Sequence, residues 1–547
     1  MAVNDMSAPV RLLRCARIRT MAPARAPQVV DALAVSGERV VAAGPLAELR
    51  ERFAGAPETD LGGGCALPGF VDAHIHLTMA ARNAVGVDVA ADVTGSEDRL
   101  ARRLRSAAVP LPAGAWLRAS RYDQVRTTGG RVIDRDDLDR WVPDRPVLVV
   151  HVGAHWGVVN SAALAAAGLT DDSPDPHGGA LGRDGSGRLN GVLYEQALFD
   201  LAYPSLARRR PVVPAPSEEE LLAGLDTASD MFLSAGITSV GDAMVGPDEL
   251  RLLQTARTGG RLRQRVNALV TYPHVDHLIA AGIRDGFGDD WLRLGGVKAF
   301  VDGAVAGLTC WLSEPFRGTD DHGMAVVSRE ELTDLALRVH GAGLRLAAHA
   351  NGDRAIALLL DALEHARRRH PHITTRHRIE HCSVVDETIV ERIAALDLIP
   401  VPFAGYVAFH GDALVDAYGE ERLGRMFAHR RLLDAGITVA GSSDYPCGPY
   451  EPLLGVQSCV TRRTSGGRVL GERQRISTGE ALALFGTGAA AAAGEEGAKG
   501  RLAPGYLADL VVLAADPFEV PPEELGRIPV TQTWVGGVPA WTADGAR

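Results

Sequence analysis

Cysteine is scarce in this 547-residue chain, and the six that occur stand apart, at Cys15, Cys65, Cys310, Cys382, Cys447 and Cys459, with no CxxC pair. That spacing argues against a disulfide framework and a zinc ribbon, and fits a reducing compartment. Long apolar runs are missing as well. Nothing approaches the roughly 18–20 uninterrupted apolar residues of a membrane span. The opening MAVNDMSAPVRLLRCARIRT lacks an apolar core followed by a small-residue cleavage site. A cytoplasmic location with no membrane partner is the expectation. Basic clusters are equally thin. Net charge is −11, and the one short run, Arg208-Arg209-Arg210, reads as a solvated loop, so no nucleic-acid partner is expected.

What is present describes a globular protein with a large core: 46% hydrophobic and 23% charged residues. The length exceeds one compact core of ordinary size and predicts a large domain plus accessory structure. The two ends of the chain are alike in style. Short β-prone segments at Arg11–Ile18, Ala32–Val35 and Arg39–Ala43 are matched near the other end by Ala508–Leu513 and Val530–Val535, with a hairpin turn at Gly536-Gly537. Neither end has enough strand to bury a core alone, so residues 1–66 and 500–547 are expected to pair into one composite β-sandwich.

Between them, residues 67–499 alternate strand-length apolar runs with helical patterns, as a parallel sheet with crossover helices does. Eight candidate strands emerge: Leu67–His76, Gly236–Asp242, Arg265–Tyr272, Arg293–Asp302, Leu344–His349, Arg378–Cys382, Leu398–Phe403 and Ile437–Ser443. Helices are expected between them, such as Ser328–His340, with capping-box spacing from Ser328 to Glu331, and Asp386–Leu396. The fold class is therefore α/β, a (β/α)₈ barrel. The gap between the first two strands is too long for one crossover helix. Residues 82–230 are read as an insertion shaping the barrel mouth.

The metal-capable side chains fall at the strand ends. His74 and His76 lie two apart in Pro68-Gly-Phe-Val-Asp-Ala-His-Ile-His76 and share a face, so both imidazoles can reach one ion. Lys298 lies within the fourth strand, His349 ends the fifth, His381 the sixth, and Asp444 follows the eighth. Each alone has a structural explanation; Asp444, for example, suits a helix cap. In a barrel, however, the C-terminal strand ends converge on one mouth where active sites sit, and these strands deliver six polar groups there. His377 begins its strand, ~13 Å from His381 at ~3.3 Å per residue, and receives no ligand role.

With these motifs in view, the sequence resembles the amidohydrolase superfamily, and within it the amidohydrolase-3 (YtcJ-like) branch that contains N-substituted formamide deformylases. The matching segments are LPGFVDAHIHL, NSAAL, GITSVGDA, VKAFVDG, HANGDRAI, RIEHC, GSSDYP and APGYLADLVVL. The resemblance implies a barrel with a composite sandwich, a homodimer, and one or two divalent ions, usually zinc. It places His74 and His76 on one ion, His349 and His381 on the other, and a carboxylated Lys298 between them. An unmodified ammonium beside divalent ions would be repelled, whereas a carbamate is an anionic ligand.

The mechanism expected from this set is hydrolysis of an amide-type C–N bond by metal-activated hydroxide, with Asp444 taking the proton and returning it to the leaving nitrogen. His155, Tyr122 and Asp302 are candidate substrate contacts; Asp302 equally suits anchoring backbone amides beside Gly303. The chain departs from the branch at Ala304 and Leu308, where serine and arginine are frequent, and at Val401-Pro-Phe-Ala-Gly405, where Gln-Pro is common. Both changes make the mouth less polar and point to a bulkier or more apolar small amide than a formamide. Two other readings stay open: a cyclic amide or imide hydrolase or heterocycle deaminase at the same centre, and a metal-binding scaffold without turnover.

Overall fold

A computed structural model of the protein describes residues 8–23, 26 and 28–543. The outermost residues of the expected terminal segments, 1–7 and 544–547, lie outside the described residues, and with them the first part of MAVNDMSAPVRLLRCARIRT. Among the described residues, no helix is long and apolar enough to cross a membrane.

Seven parallel strands form the barrel wall in chain order: Phe70–Ile75, Ile237–Val245, Arg265–Thr271, Leu292–Phe300, Leu346–Ala350, Arg378–His381 and Ile399–Val401. Their outward faces, including Val240, Val266, Val297, Ala348 and Ile379, pack with the surrounding helices in one continuous core. Two helices foreseen from capping patterns are present. Arg329–Gly341 starts on a complete Ser328/Glu331 capping box, and Glu387–Ala395 on Asp386, whose carboxylate accepts the Ile389 N–H.

The expected eighth strand is not a regular ladder. The segment Ile437–Asp444 runs between the seventh strand and the first, bonding to each at separate points. Ala440 N–H donates to the Pro400 carbonyl and Ala404 N–H to that of Ser442 on one side. On the other, Ala73 N–H reaches the Gly441 carbonyl and Asp444 N–H that of His74. Two of the segment's own amides go elsewhere: Gly441 to the Leu484 carbonyl, Ser443 to the buried Asp72 carboxylate. The barrel closes, but through a segment whose donors are shared out rather than laddered.

The first predicted strand also divides at Gly69. Cys65–Pro68 belongs to the terminal sheet and Phe70–Ile75 to the barrel. A Cβ at Gly69 would lie 2.3 Å from the Thr238 side chain, so only glycine lets the chain cross there. The terminal strands form a single eight-stranded sheet in which Cys65–Pro68 pairs antiparallel with Leu510–Leu513, joining the two ends of the chain. The sheet curls on itself: Ala508 N–H donates to the Glu38 carbonyl and Val40 N–H to that of Tyr506. Leu13, Val35, Leu510 and Trp534 are packed inside. Gly536 and Gly537, both at positive φ, make the expected hairpin turn.

After the first barrel strand, helix Leu77–Val85 leads into a six-stranded mixed sheet, and helix Glu218–Ser234 returns to the second strand. The insertion has its own core around Leu104, Leu138, Val149 and Trp156. A second cluster, with Phe199, Leu201 and Leu206, joins it to Met79 and Met244 beside the barrel mouth.

Candidate metal centre

All six expected residues converge at the barrel mouth, each 8% exposed or less. His74 and His76 rise from the first strand. His74 Nε2 lies 3.3 Å from Lys298 Nζ, carried by the same inward face of the fourth strand. Asp444 is the hub: its carboxylate lies 3.4 Å from His74 Nε2, 3.2 Å from His76 Nε2 and 3.8 Å from His381 Nδ1. His381 and His349 are neighbours with ring centroids 4.5 Å apart.

Two of these placements break strand geometry. Period-2 alternation sets Arg378 and Glu380 on the inner face and turns His381 outward with Ile379. The backbone at His381 has φ 70° and at Cys382 φ 44°, which ends the ladder and swings the imidazole over the mouth. Asp444 likewise has φ 50°. Such conformations cost roughly 1–3 kcal/mol each in non-glycine residues and cluster where function requires them.

The charge state of the cluster follows from its burial. Burial, then the Lys298 ammonium, lowers His74 to about 4, and burial lowers His381 to about 3. His349 is held well below the ordinary imidazole range, by burial and then by His381. Burial raises Asp444, but His381, His76 and His74 outweigh it and hold the carboxyl well below the carboxylate range. The centre thus offers neutral imidazoles around an ionised carboxylate, the protonation states that bind a divalent ion. The ligand atoms of His74, His76 and Asp444 all lie within 4.8 Å of one another. His76 Nδ1 is buried without a hydrogen-bond partner. His76 turns its other nitrogen, Nε2, to Asp444, and buried imidazole nitrogens converging on one carboxylate are a donor set that fits a metal ion.

Two residues that sequence reasoning passed over support this set. Glu380 is fully buried, accepts from Arg378 Nε at 2.7 Å and Nη2 at 2.8 Å, and bonds His74 Nδ1. It fixes which nitrogen of His74 faces the centre. Its only signal was an Arg and a Glu two apart in a buried strand, the spacing of an inward ion pair. Glu195 binds His155 Nδ1 at 2.8 Å, and nothing in its local sequence marks it.

The substrate-contact candidates separate. His155 is at the site, its ring 5.2 Å from that of His349. Asp302 spends its carboxylate on the N–H groups of Asn351, Gly352 and Trp311, so it anchors the loop behind His349. Burial raises it to about 7 despite those bonds. Tyr122 does not line the cavity; its hydroxyl is committed to Thr128 Oγ1 and the Arg131 carbonyl inside the insertion core. His377 sits at the base of its strand, hydrogen-bonded to His340 and the Leu346 N–H, away from the centre.

Two adjoining spaces meet over the centre and share Gly153, His155, His349, His381, Asp444 and Cys447. Of the two spaces, the first is bordered by all six candidate ligands. Ala304, Val305, Ala306 and Tyr406 line the second.

The model of the amidohydrolase family matches residues 58–540. The chain belongs to the amidohydrolase family. This amidohydrolase is 32% identical to YtcJ of Bacillus subtilis strain 168, over 93% of this chain and 95% of YtcJ. It is 31% identical to the N-substituted formamide deformylase of Arthrobacter pascens, over 93% and 94% of the two chains. Among solved structures, an uncharacterized metal-dependent hydrolase from Pyrococcus horikoshii OT3 superimposes with TM-score 0.74 at 25% identity, covering 94% of this chain and 99% of that one. The family and these relatives make the amidohydrolase a hydrolase.

Proposed function

We propose that the amidohydrolase cleaves the C–N bond of a small amide bearing an apolar substituent, at a centre of one or two zinc ions. The observation that carries this reading is the convergence of His74, His76, His349, His381, Lys298 and Asp444, all buried, around one space. His74 and His76 with Asp444 would hold one ion, and His349 with His381 a second. Bound there, zinc supplies an acidified water and polarises the amide oxygen.

Lys298 would join the two halves as a carbamate. Burial lowers its ammonium to about 8, so a fraction is the free amine that combines with carbon dioxide, releasing a proton. Asp444 lies within reach of three imidazoles and holds the proton removed from water until the leaving nitrogen takes it. His155 presents its ring to the amide from the insertion side. Ala304, where a serine is frequent in the branch, lines the second space with Val305 and Ala306, and this apolar wall favours an aliphatic or aromatic substituent over a bare formamide.

Elemental analysis of untagged protein, paired with an amide panel scored for released amine, tests the reading. One to two zinc ions per chain are expected, with turnover abolished by a chelator and restored by zinc. Metal without turnover on any amide would favour a scaffold. Ring opening of an imide, or ammonia release from a heterocycle, would move the chemistry to those substrates. No metal, and no gain from added zinc, would overturn it. A homodimer, checked by light scattering, and a cytoplasmic location, for which the six free cysteines are suited, complete the proposal.

A further inference from the structure

His155 sits in a turn of the insertion rather than on a barrel strand, and a turn alone does not aim an imidazole. Forty residues on, Glu195 clasps it twice. The two carboxylate oxygens lie 2.8 and 3.0 Å from His155 Nδ1. In return, the Glu195 N–H donates to the His155 carbonyl at 2.7 Å. Side chain and backbone are therefore tied by one residue.

The clasp is built against local preference. Glu195 closes the strand Leu189–Glu195 with φ 47° and ψ −117°, and Ala154 beside the histidine has φ 57°. Side chains rarely adopt such conformations, which persist only where the surroundings over-determine them. Glu195 itself is 4% exposed, so its carboxylate is available to little besides His155. With Nδ1 committed, the Nε2 edge has no hydrogen-bond partner among the described residues, and the ring borders both spaces over the metal centre. A clasp that served packing alone would leave neither nitrogen facing a cavity.

We propose that Glu195 is the positioning residue for His155: it accepts the Nδ1–H, fixes that tautomer, and turns the Nε2 edge onto the amide of the substrate. The arrangement is the third-group logic by which a buried carboxylate orients a catalytic imidazole. The inference rests on the hydrolytic reading given above.

The test compares Glu195→Ala, Glu195→Gln and His155→Ala in the zinc-loaded protein, using an amide that the wild type turns over. Glu195→Ala is expected to lower kcat by ~10²-fold, the scale of a misplaced substrate-orienting group, with KM changed far less. Zinc content and unfolding midpoint should stay at wild-type values. Glu195→Gln keeps a carbonyl oxygen that can accept the Nδ1–H and should recover part of the loss. Nitrogen NMR of the ring, recorded at alkaline pH where the imidazole is neutral, should report the Nδ1–H tautomer in wild type and a mixture in Glu195→Ala. Wild-type kcat in Glu195→Ala, beside a defective His155→Ala, would overturn the proposal. So would an Nε2–H tautomer in wild type, or a loss of activity that tracks loss of zinc or of folding. If no amide is turned over, the hydrolytic reading fails by itself, and the tautomer measurement still decides whether Glu195 sets the ring.

Discussion

Glu380 bears two loads at once, and replacing it separates them. Its carboxylate is fully buried, and the Arg378 guanidinium it neutralises is only 1% exposed. Burial raises the Glu380 carboxyl, yet Arg378 and His74 outweigh that and hold it far below the usual range. Removing one partner of a buried pair leaves an uncompensated charge, worth about 3–5 kcal/mol of stability. Glu380→Leu should show that full loss. Glu380→Gln keeps an acceptor but not the charge, and should lose about 1.5–3 kcal/mol, the worth of a hydrogen bond to a charged group. The same carboxylate orients His74, so either change should weaken zinc binding by about 10–100-fold. Urea unfolding of the metal-free protein reads the first effect, and competition with a chromophoric chelator reads the second. The double variant Arg378→Met/Glu380→Leu removes the stranded cation, so it should regain most of the stability and none of the zinc affinity. Unchanged zinc affinity in Glu380→Gln would refute the positioning argument. Unchanged stability in Glu380→Leu would refute the burial argument.

Asp444→Asn should lower turnover by about 10²–10⁴-fold with a much smaller change in KM, because an amide cannot carry the proton; near-wild-type kcat in steady-state assays would refute its role. His429 is buried beside Arg462, and burial first and that charge second lower it to about 3. Its folded value lies below the unfolded value of about 6.5, so its stabilising contribution is complete above pH 6.5 and is lost as pH falls towards 3. His429→Gln should flatten the stability–pH slope of the metal-free protein in that window by about 1.4 kcal/mol per pH unit, measured by urea midpoints at several pH values. Gly224 faces the Ala81 carbonyl where the two helices flanking the insertion cross, and a Cβ there would lie 2.2 Å from that oxygen. Gly224→Ala should therefore destabilise by about 1–3 kcal/mol despite the better helix propensity, seen as a lower thermal midpoint.

How far the sequence carried depended on whether periodicity or contact defined a feature. Seven strands and the residues on their inner faces were legible because alternation and strand length survive in the string, and His74, His76 and Lys298 follow from alternation alone. The eighth segment was legible as apolar and extended. That its amides are given to Asp72 and Leu484 was not, since those partners lie far away in sequence. His381 illustrates the limit best. Alternation pairs it with His377, whose side chain bonds His340 on the helix side of the wall. Only the left-handed turn at its own Cα brings it to the centre. Asp444 and Glu195 share that property, with φ of 50° and 47°. Tyr122 shows the complementary limit: a strand position in the insertion does not reveal that its hydroxyl is bonded to Thr128 and Arg131. Regular backbone thus determined where the barrel presents its side chains. The residues that complete the centre from irregular backbone are held by partners no local pattern announces, and it is at those positions, Glu380 behind His74 and Glu195 behind His155, that the structure adds chemistry to the sequence.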